Sequence, residues 1–171
     1  MKKAALTIAL LIAAQLVVIT AWWLVENGRR ADDGPTARLG DPLPPIELRA
    51  LDGTPHAIEA MTSPALVHVW ATWCPPCRDE LPALLAAATA AAVPVHLISV
   101  DREPDAVRRF FGAVIPPACY TADARAIERR LGVTGLPVTF AIDGKGIIRQ
   151  RWDGAQPWQP EEIRGIMRAI R

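Results

Sequence analysis

The sequence has few cysteines and almost no net charge. Among 171 residues, 19 Lys and Arg balance 18 Asp and Glu, which leaves a formal net charge of +1. This balance excludes a basic field for nucleic acid and an acidic tail, so no nucleic-acid partner is expected. Three cysteines are too few for a disulfide scaffold of this length. The 51% apolar content excludes a disordered chain and predicts one compact domain.

A long apolar run occurs only near the N-terminus. Residues 4–25 contain 22 positions without a charge, which at about 1.5 Å per residue suffices to cross a bilayer core of about 30 Å. Two lysines precede the run, and Trp22 and Trp23 lie near its far end, where amphipathic rings favour the membrane interface. The sequence therefore predicts residues 1–25 as a cytoplasmic tip and a transmembrane anchor. The alternative is a cleaved signal peptide, whose apolar region is usually shorter.

The rest of the chain divides into a linker and a folded domain. Residues 26–45 are rich in Gly, Pro and charge and show no apolar period, so they are predicted to be a linker. Residues 46–171 are predicted to form the domain. It begins with an expected β-hairpin at 46–59, because Asp52-Gly53 suits a tight turn between two short apolar runs.

Strand-like and helix-like segments alternate along this domain. Runs rich in β-branched residues predict strands, and an Ala- and Leu-rich stretch that begins with proline predicts a helix. This order of elements implies an α/β fold, a central mixed sheet with helices on both faces. The predicted strands cover 65–70, 93–100, 138–142 and 147–152, with a short extended piece at 117–120, and the predicted helices cover 75–92, 103–112, 122–131 and residues from about 160.

The chemically reactive residues concentrate at Cys74-Pro75-Pro76-Cys77, where a predicted strand ends and a predicted helix begins. Unsatisfied N–H groups at a helix N-terminus stabilise a thiolate, so Cys74 is expected to be the nucleophile. Cys77 lies one turn further in, close enough to form a disulfide and more shielded, so it is expected to resolve the mixed disulfide. The two prolines restrict the loop and can shift the balance between dithiol and disulfide.

The main alternative for this spacing is half of a zinc site. A second ligand pair is missing from the sequence, because Cys119 is isolated and the three histidines show no ligand spacing. No metal or other cofactor is therefore predicted, and Cys119 is expected to be a buried small hydrophobe. A purely structural disulfide is disfavoured because so short a loop barely constrains the unfolded chain.

Further motifs surround the cysteine pair. They are Leu39-Gly40-Asp41, Leu51-Asp52-Gly53, VWATWCPPCRDELP at 69–82, GVTGLPVTF at 132–140 and IDGKG at 142–146. With them the chain resembles, over about residues 38–171, the thioredoxin superfamily and most closely its membrane-anchored TlpA/ResA-type branch of thiol–disulfide oxidoreductases. The resemblance implies a thioredoxin fold with an added N-terminal hairpin, facing the periplasm. It also implies reduction of disulfides in apocytochrome c or copper-site proteins, with a membrane thiol protein as electron donor.

The resemblance further implies a substrate-binding surface beside the nucleophile. Pro137 matches the cis-proline of the family, which lets an extended substrate strand pair next to the reactive cysteine. An ordinary trans proline entering a strand is the alternative. The residues expected to contact substrate are Trp73, Pro75, Pro76, Leu136 and Pro137.

Two ionisable residues accompany the cysteines. Glu80 lies one turn after Cys77 and matches an acidic residue with which this branch tunes thiol acidity and assists proton transfer. The alternative is a solvated helix glutamate. Position 68 is a departure, because many cytoplasmic thioredoxins carry a buried aspartate six residues before the nucleophile and this sequence has histidine. His68 is expected to be buried and neutral, with a proton relay as the second interpretation.

The sequence thus predicts a single-pass protein of the inner membrane whose periplasmic domain reduces protein disulfides. A disulfide oxidase of the same fold is an alternative, because small changes in reduction potential reverse the direction. A Cu(I)-binding module with Cys74 and Cys77 as soft ligands is another, although no Met or His ligand pattern supports it. Because a tethered domain beside a membrane donor need not dimerise, a monomer is expected.

Overall fold

The computed structural model describes residues 13–23, 37–57 and 64–170. The chain divides into two units, Met1–Gly34 and Pro35–Arg171. In the first unit, residues 13–23 are helical and exposed. Among the described residues, no helix combines the length and apolar character needed to span a membrane. Most of the predicted anchor lies outside the described residues, so it stays a prediction, as does the linker up to residue 36. The predicted end of the linker at residue 45 is wrong, because the Gly40 N–H donates to the Ile148 carbonyl at 2.8 Å and the Ile148 N–H donates to the Asp41 carbonyl at 2.9 Å, which joins this segment to the folded domain.

The second unit is built on a mixed sheet, which has seven strands in the described part of the chain. In spatial order the sheet reads β2-β1-β5-β4-β3-β6-β7. Strands β3, β4 and β5 are parallel to one another, and the other neighbours are antiparallel. The strands are β1 (Glu47–Ala50), β2 (Pro55–Ala57), β3 (Ala65–Trp70), β4 (Val95–Ser99), β5 (Cys119–Thr121), β6 (Val138–Ile142) and β7 (Ile148–Asp153).

Strand β3 is an interior strand of this sheet, between β4 and β6. All six of its residues are buried. Since successive side chains of a strand point to opposite faces, this burial requires cover on both faces of the sheet, as predicted. The apolar and β-branched composition of β3 and β6 is what a strand buried on both faces needs.

The predicted N-terminal hairpin is present. Strands β1 and β2 are antiparallel, and the turn between them contains Gly53 at a φ of 90°, where a residue without Cβ is favoured. The Thr54 N–H donates to the Asp52 carboxylate at 2.8 Å and closes the turn. Strand β1 also pairs with β5, so the hairpin extends the central sheet instead of forming a separate one.

The described part of the second unit contains the four predicted helices. Their observed ends differ from the predicted ends by one or two residues, which is the usual uncertainty at helix termini. The first helix carries Pro82 in its interior and packs against the last one. The helices are α1 (Pro75–Ala91), α2 (Pro104–Phe111), α3 (Ala124–Leu131) and α4 (Pro160–Ala169).

Candidate active site

The two cysteines lie where β3 ends and α1 begins. Cys74 is the N-cap residue of α1, and its Sγ accepts a hydrogen bond from the Cys77 N–H at 3.3 Å. Pro75 and Pro76 occupy the first turn, where a missing N–H costs no helical hydrogen bond. The sulfur of Cys74 therefore lies at the positive end of the helix dipole, where a thiolate is stabilised.

Cys74 and Cys77 form a disulfide with an S–S distance of 2.08 Å. Cys74 is 5% exposed and Cys77 is fully buried. The expected order of exposure is therefore confirmed, but Cys74 is far less exposed than its position at a helix end suggested. The neighbouring Trp73 is 65% exposed, and Pro75 and Pro76 are exposed as well. Exposed side chains therefore surround the small accessible area of Cys74.

A buried carboxylate holds the turn that precedes Cys74. Asp101 follows β4 and accepts from the Thr72 N–H at 2.8 Å, the Thr72 hydroxyl at 2.7 Å and the Ser99 hydroxyl at 2.6 Å. Three hydrogen bonds to one carboxylate fix the backbone of this turn against β4. Asp101 was not predicted from the sequence. One feature of the sequence pointed to it, because an aspartate follows the predicted buried strand 93–100. The C-terminal end of that strand lies beside the C-terminal end of β3, since the two strands are parallel.

The Leu136–Pro137 peptide bond is cis, which confirms the family-based expectation. Val138 pairs with Val69, so Pro137 lies at the edge of the sheet where β3 runs into the cysteine turn. The Pro137 carbonyl accepts from the Gly154 N–H at 2.8 Å. Leu136 is half-buried. The cis-proline segment and the cysteine pair are thus brought to one edge of the sheet.

Arg151 anchors the start of the cis-proline segment. Its guanidinium donates to the carbonyls of Leu131 at 2.9 Å and Gly132 at 3.0 Å, the last residue of α3 and its C-cap residue. It also forms an ion pair with Asp153 at 2.7 Å. The side chain therefore caps α3 and ties the segment to β7.

Glu80 is buried, with 6% of its surface exposed, so the alternative of a solvated helix glutamate is wrong. It shares the buried stripe of α1 with Cys77, Leu81 and Leu84. Its Oε2 accepts from the Gln156 N–H at 2.6 Å. Burial raises the pKa of Glu80, an effect that the Gln156 N–H and the nearby Trp158 indole partly oppose.

His68 lies on β3 and faces Glu80 of helix α1. It is fully buried, and its Nδ1 is 2.9 Å from the Thr139 hydroxyl oxygen, on the opposed residue of β6. Its Nε2 lies 3.6 Å from Glu80 Oε1. Burial lowers the pKa of His68 to about 3, so the imidazole is neutral at physiological pH, as expected.

Trp70 and Cys119 lie in the hydrophobic core. Trp70 is fully buried and packs against Phe110 and Phe111, with ring centroids 5.1 and 5.5 Å away. Cys119 is buried and free, and burial raises its thiol pKa to about 12, which agrees with a small core residue. In the part of the chain that the structure describes, no three His, Cys, Asp or Glu side chains cluster to hold a metal ion.

Known proteins share this fold and this chain's sequence pattern. Residues 38–167 match the Redoxin family. The chain is similar to the thiol:disulfide interchange protein DsbE of Escherichia coli, with 34% identity over 97% of this chain and 95% of the relative. It is also similar to the solved structure of a thiol:disulfide interchange protein from Chlorobium tepidum, with a TM-score of 0.61 and 24% identity over 80% and 99% of the two chains.

A thio-disulfide isomerase from Thermus thermophilus superposes with a TM-score of 0.58 and 26% identity, covering 70% of this chain and 89% of the other. The family match spans the cysteine turn, α1 and the cis-proline segment. The chain therefore belongs to the Redoxin family and has a thioredoxin-like fold.

Proposed function

We propose that this protein is a membrane-anchored thiol–disulfide oxidoreductase that reduces disulfides of protein substrates in the periplasm. The observation that carries the proposal is the Cys74–Cys77 disulfide at the N-terminus of α1, at the same sheet edge as the cis-proline. The name of the Escherichia coli relative, a thiol:disulfide interchange protein, supports this activity. The TlpA/ResA-type pattern favours apocytochrome c or copper-site proteins as substrates.

The proposed reaction consists of two thiol exchanges. The Cys74 thiolate attacks one sulfur of a substrate disulfide, and the other substrate sulfur leaves as a thiolate. The Cys77 thiolate then attacks the Cys74 sulfur of this mixed disulfide. The Cys74–Cys77 bond forms, the mixed disulfide breaks, and the substrate leaves as a dithiol with two more electrons. A thiol protein of the membrane reduces the Cys74–Cys77 disulfide for the next cycle.

The substrate binds as an extended segment. Its backbone pairs with the half-buried Leu136, whose conformation the neighbouring cis-Pro137 fixes, in the manner of strand addition. The exposed side chains of Trp73, Pro75 and Pro76 cover the other side of the substrate. Because the domain is tethered beside its donor, the protein acts as a monomer.

The two cysteines have different roles, and trapping distinguishes them. Reduced Cys77→Ser protein mixed with a disulfide-bonded protein such as insulin should accumulate a mixed disulfide, because no resolving thiolate remains. Cys74→Ser should not accumulate one, since the buried Cys77 cannot reach the substrate. Non-reducing electrophoresis measures the adduct, and Cys119→Ser is the control that should behave like the wild type. An adduct on Cys74→Ser alone would reverse the assigned roles.

Glu80 tunes the acidity of the thiols. The carboxyl and Cys77 are three residues apart on one buried helix face, so a negative charge on Glu80 disfavours a thiolate nearby. The carboxylate also accepts the proton that Cys77 loses when it attacks the mixed disulfide. Since burial raises the pKa of Glu80, this acceptor is suited to a proton exchange nearer neutral pH than an exposed glutamate.

Replacing Glu80 by Gln keeps the shape and removes the charge. The Glu80→Gln variant should lower the pKa of Cys74 and flatten the pH dependence of disulfide reduction, which the ultraviolet absorbance of the thiolate and an insulin-reduction assay measure. The matched control is Asp79→Asn, because Asp79 is the exposed neighbour on the same helix. Identical thiolate titrations for Glu80→Gln and the wild type would exclude this role.

The reduction potential tests the proposed direction of the reaction. Equilibration with thiol buffers should give a potential closer to the about −270 mV of thioredoxin than to the about −120 mV of the oxidant DsbA. A value near the oxidant would make the protein a disulfide oxidase.

A Cu(I) titration of the reduced protein tests the copper-delivery alternative. Tight, stoichiometric Cu(I) binding without reductase activity would show that the protein is a copper-binding module and not an oxidoreductase.

The anchor is assigned to residues 4–25 on the strength of their uncharged apolar sequence. The full-length protein should remain with the membrane fraction after alkaline carbonate extraction, and a variant without residues 4–25 should be released. N-terminal sequencing of the membrane-bound protein is the second measurement. A mature chain that begins near Trp22 would mean that a signal peptide is cleaved and that the anchor does not exist.

A further inference from the structure

Two buried polar atoms face each other behind the cysteine pair. His68 Nε2 and Glu80 Oε1 are 3.6 Å apart, slightly beyond hydrogen-bond distance, and among the described residues neither atom has a hydrogen-bond partner. The Trp158 Nε1, which acts on the same carboxyl, is also unpartnered. Both side chains are almost wholly inaccessible to solvent. Unpaired buried polar atoms are costly, and a single shared hydrogen between these two would satisfy both at once.

The other nitrogen of the same ring has a fixed partner. The pairing of β3 with β6 sets His68 opposite Thr139, and Nδ1 lies 2.9 Å from the Thr139 hydroxyl oxygen. A hydroxyl can donate or accept, and a neutral imidazole carries its hydrogen on either nitrogen. The hydrogen bond to Thr139 is therefore compatible with both tautomers of His68.

The two tautomers correspond to the two protonation states of Glu80. When Glu80 is ionised, the Thr139 hydroxyl donates to Nδ1, and Nε2–H donates to Oε1. When Glu80 is protonated at Oε1, its O–H donates to Nε2, and Nδ1–H donates to the Thr139 oxygen after the hydroxyl rotates. Between these states the cluster gains one proton in total, and the imidazole holds one hydrogen in each.

We propose that His68 is a positioning residue that changes tautomer as Glu80 gains or loses its proton, so that Glu80 Oε1 keeps a hydrogen-bond partner in both states. This inference rests on the proposed role of Glu80 in thiol exchange. It lets the buried carboxyl gain or lose its proton while the imidazole is neutral in both end states. The low pKa of His68 agrees with a ring that stays neutral throughout.

Several groups surround the Glu80 carboxyl. The titratable group that faces the carboxyl from β3 is His68. On α1, the helix that carries Glu80, the neighbouring titratable group is Cys77, one turn earlier. The segment before α4 contributes the Gln156 N–H and the Trp158 indole, which do not titrate in this range. In the disulfide form Cys77 carries no titrating thiol, so the proton that moves His68 between tautomers is the one that Glu80 binds.

Nitrogen NMR of the imidazole tests the proposal directly. The full-length protein in its disulfide form, labelled with ¹⁵N-histidine and ¹³C-glutamate in detergent micelles, is titrated across the range in which the Glu80 carboxyl carbon shift changes. The ring-nitrogen shifts of His68 should move from the Nδ1–H pattern at low pH to the Nε2–H pattern at high pH, with the same midpoint as Glu80. One unchanged tautomer across the carboxyl titration, or an imidazolium pattern, would overturn the proposal.

Two sets of variants separate the tautomer change from general effects of packing. Glu80→Gln should hold His68 in one tautomer at every pH, because the amide does not titrate. Thr139→Val removes the hydroxyl partner and should leave His68 in the Nε2–H form with a shifted Glu80 midpoint, whereas Thr139→Ser should restore the change. Thr139→Val with an intact change of tautomer would contradict the proposal.

The outcomes also separate this inference from the proposed function. If Glu80→Gln alters the thiolate titration while His68 keeps one tautomer, the role of Glu80 stands and the role of His68 is wrong. If His68 changes tautomer while Glu80→Gln leaves the thiolate titration unaltered, Glu80 has no part in thiol exchange, and the functional reason for the tautomer change is wrong.

Discussion

Backbone pairing between β3 and β6 places Val69 opposite Val138 and His68 opposite Thr139. The first pair brings the cis-proline segment to the end of β3, from which the cysteine turn begins. The second pair gives His68 its hydroxyl partner. A shift of this register by one residue would turn every side chain of β6 to the other face. It would separate His68 from Thr139 and the cis-proline segment from the end of β3. The site therefore depends on a strand alignment in the core.

The segment of residues 154–156, between β7 and α4, contacts both the cis-proline segment and Glu80. The Gly154 N–H donates to the Pro137 carbonyl, and the Gln156 N–H donates to the Glu80 carboxylate. One strand end thus holds both the proposed substrate-binding backbone and the carboxyl behind the thiols. Asp101 accepts from the Thr72 N–H and so fixes the turn before Cys74. Hydrogen bonds donated by backbone N–H groups therefore hold the segments around the two sulfurs.

The local features of this protein were predictable from its sequence. The cysteine pair, the prolines of the first turn and the Asp52-Gly53 hairpin depend on residues a few positions apart, and the alternation of apolar segments predicted each strand and helix of the domain. The cis form of Pro137 came from the family resemblance, because an X-Pro sequence alone does not determine the isomer.

Contacts between distant segments were not predictable in the same way. In an Ala-rich helix many faces look equally apolar, so the burial of Glu80 became evident only with the packing of α1. Asp101 reaches Thr72 across 29 positions, and the contact between His68 and Glu80 needs the relative placement of a strand and a helix. The small exposure of Cys74 also arises from packing around the turn.

That small exposure has a consequence for selectivity among substrates. Because only 5% of Cys74 is exposed, another sulfur reaches it along a narrow approach, since the attacking atom must align with the disulfide axis. A disulfide on an exposed, flexible segment of its protein can enter this approach more readily than one enclosed in a folded core. The small accessible area at Cys74 therefore favours disulfides that lie on such segments, whatever side chains surround them.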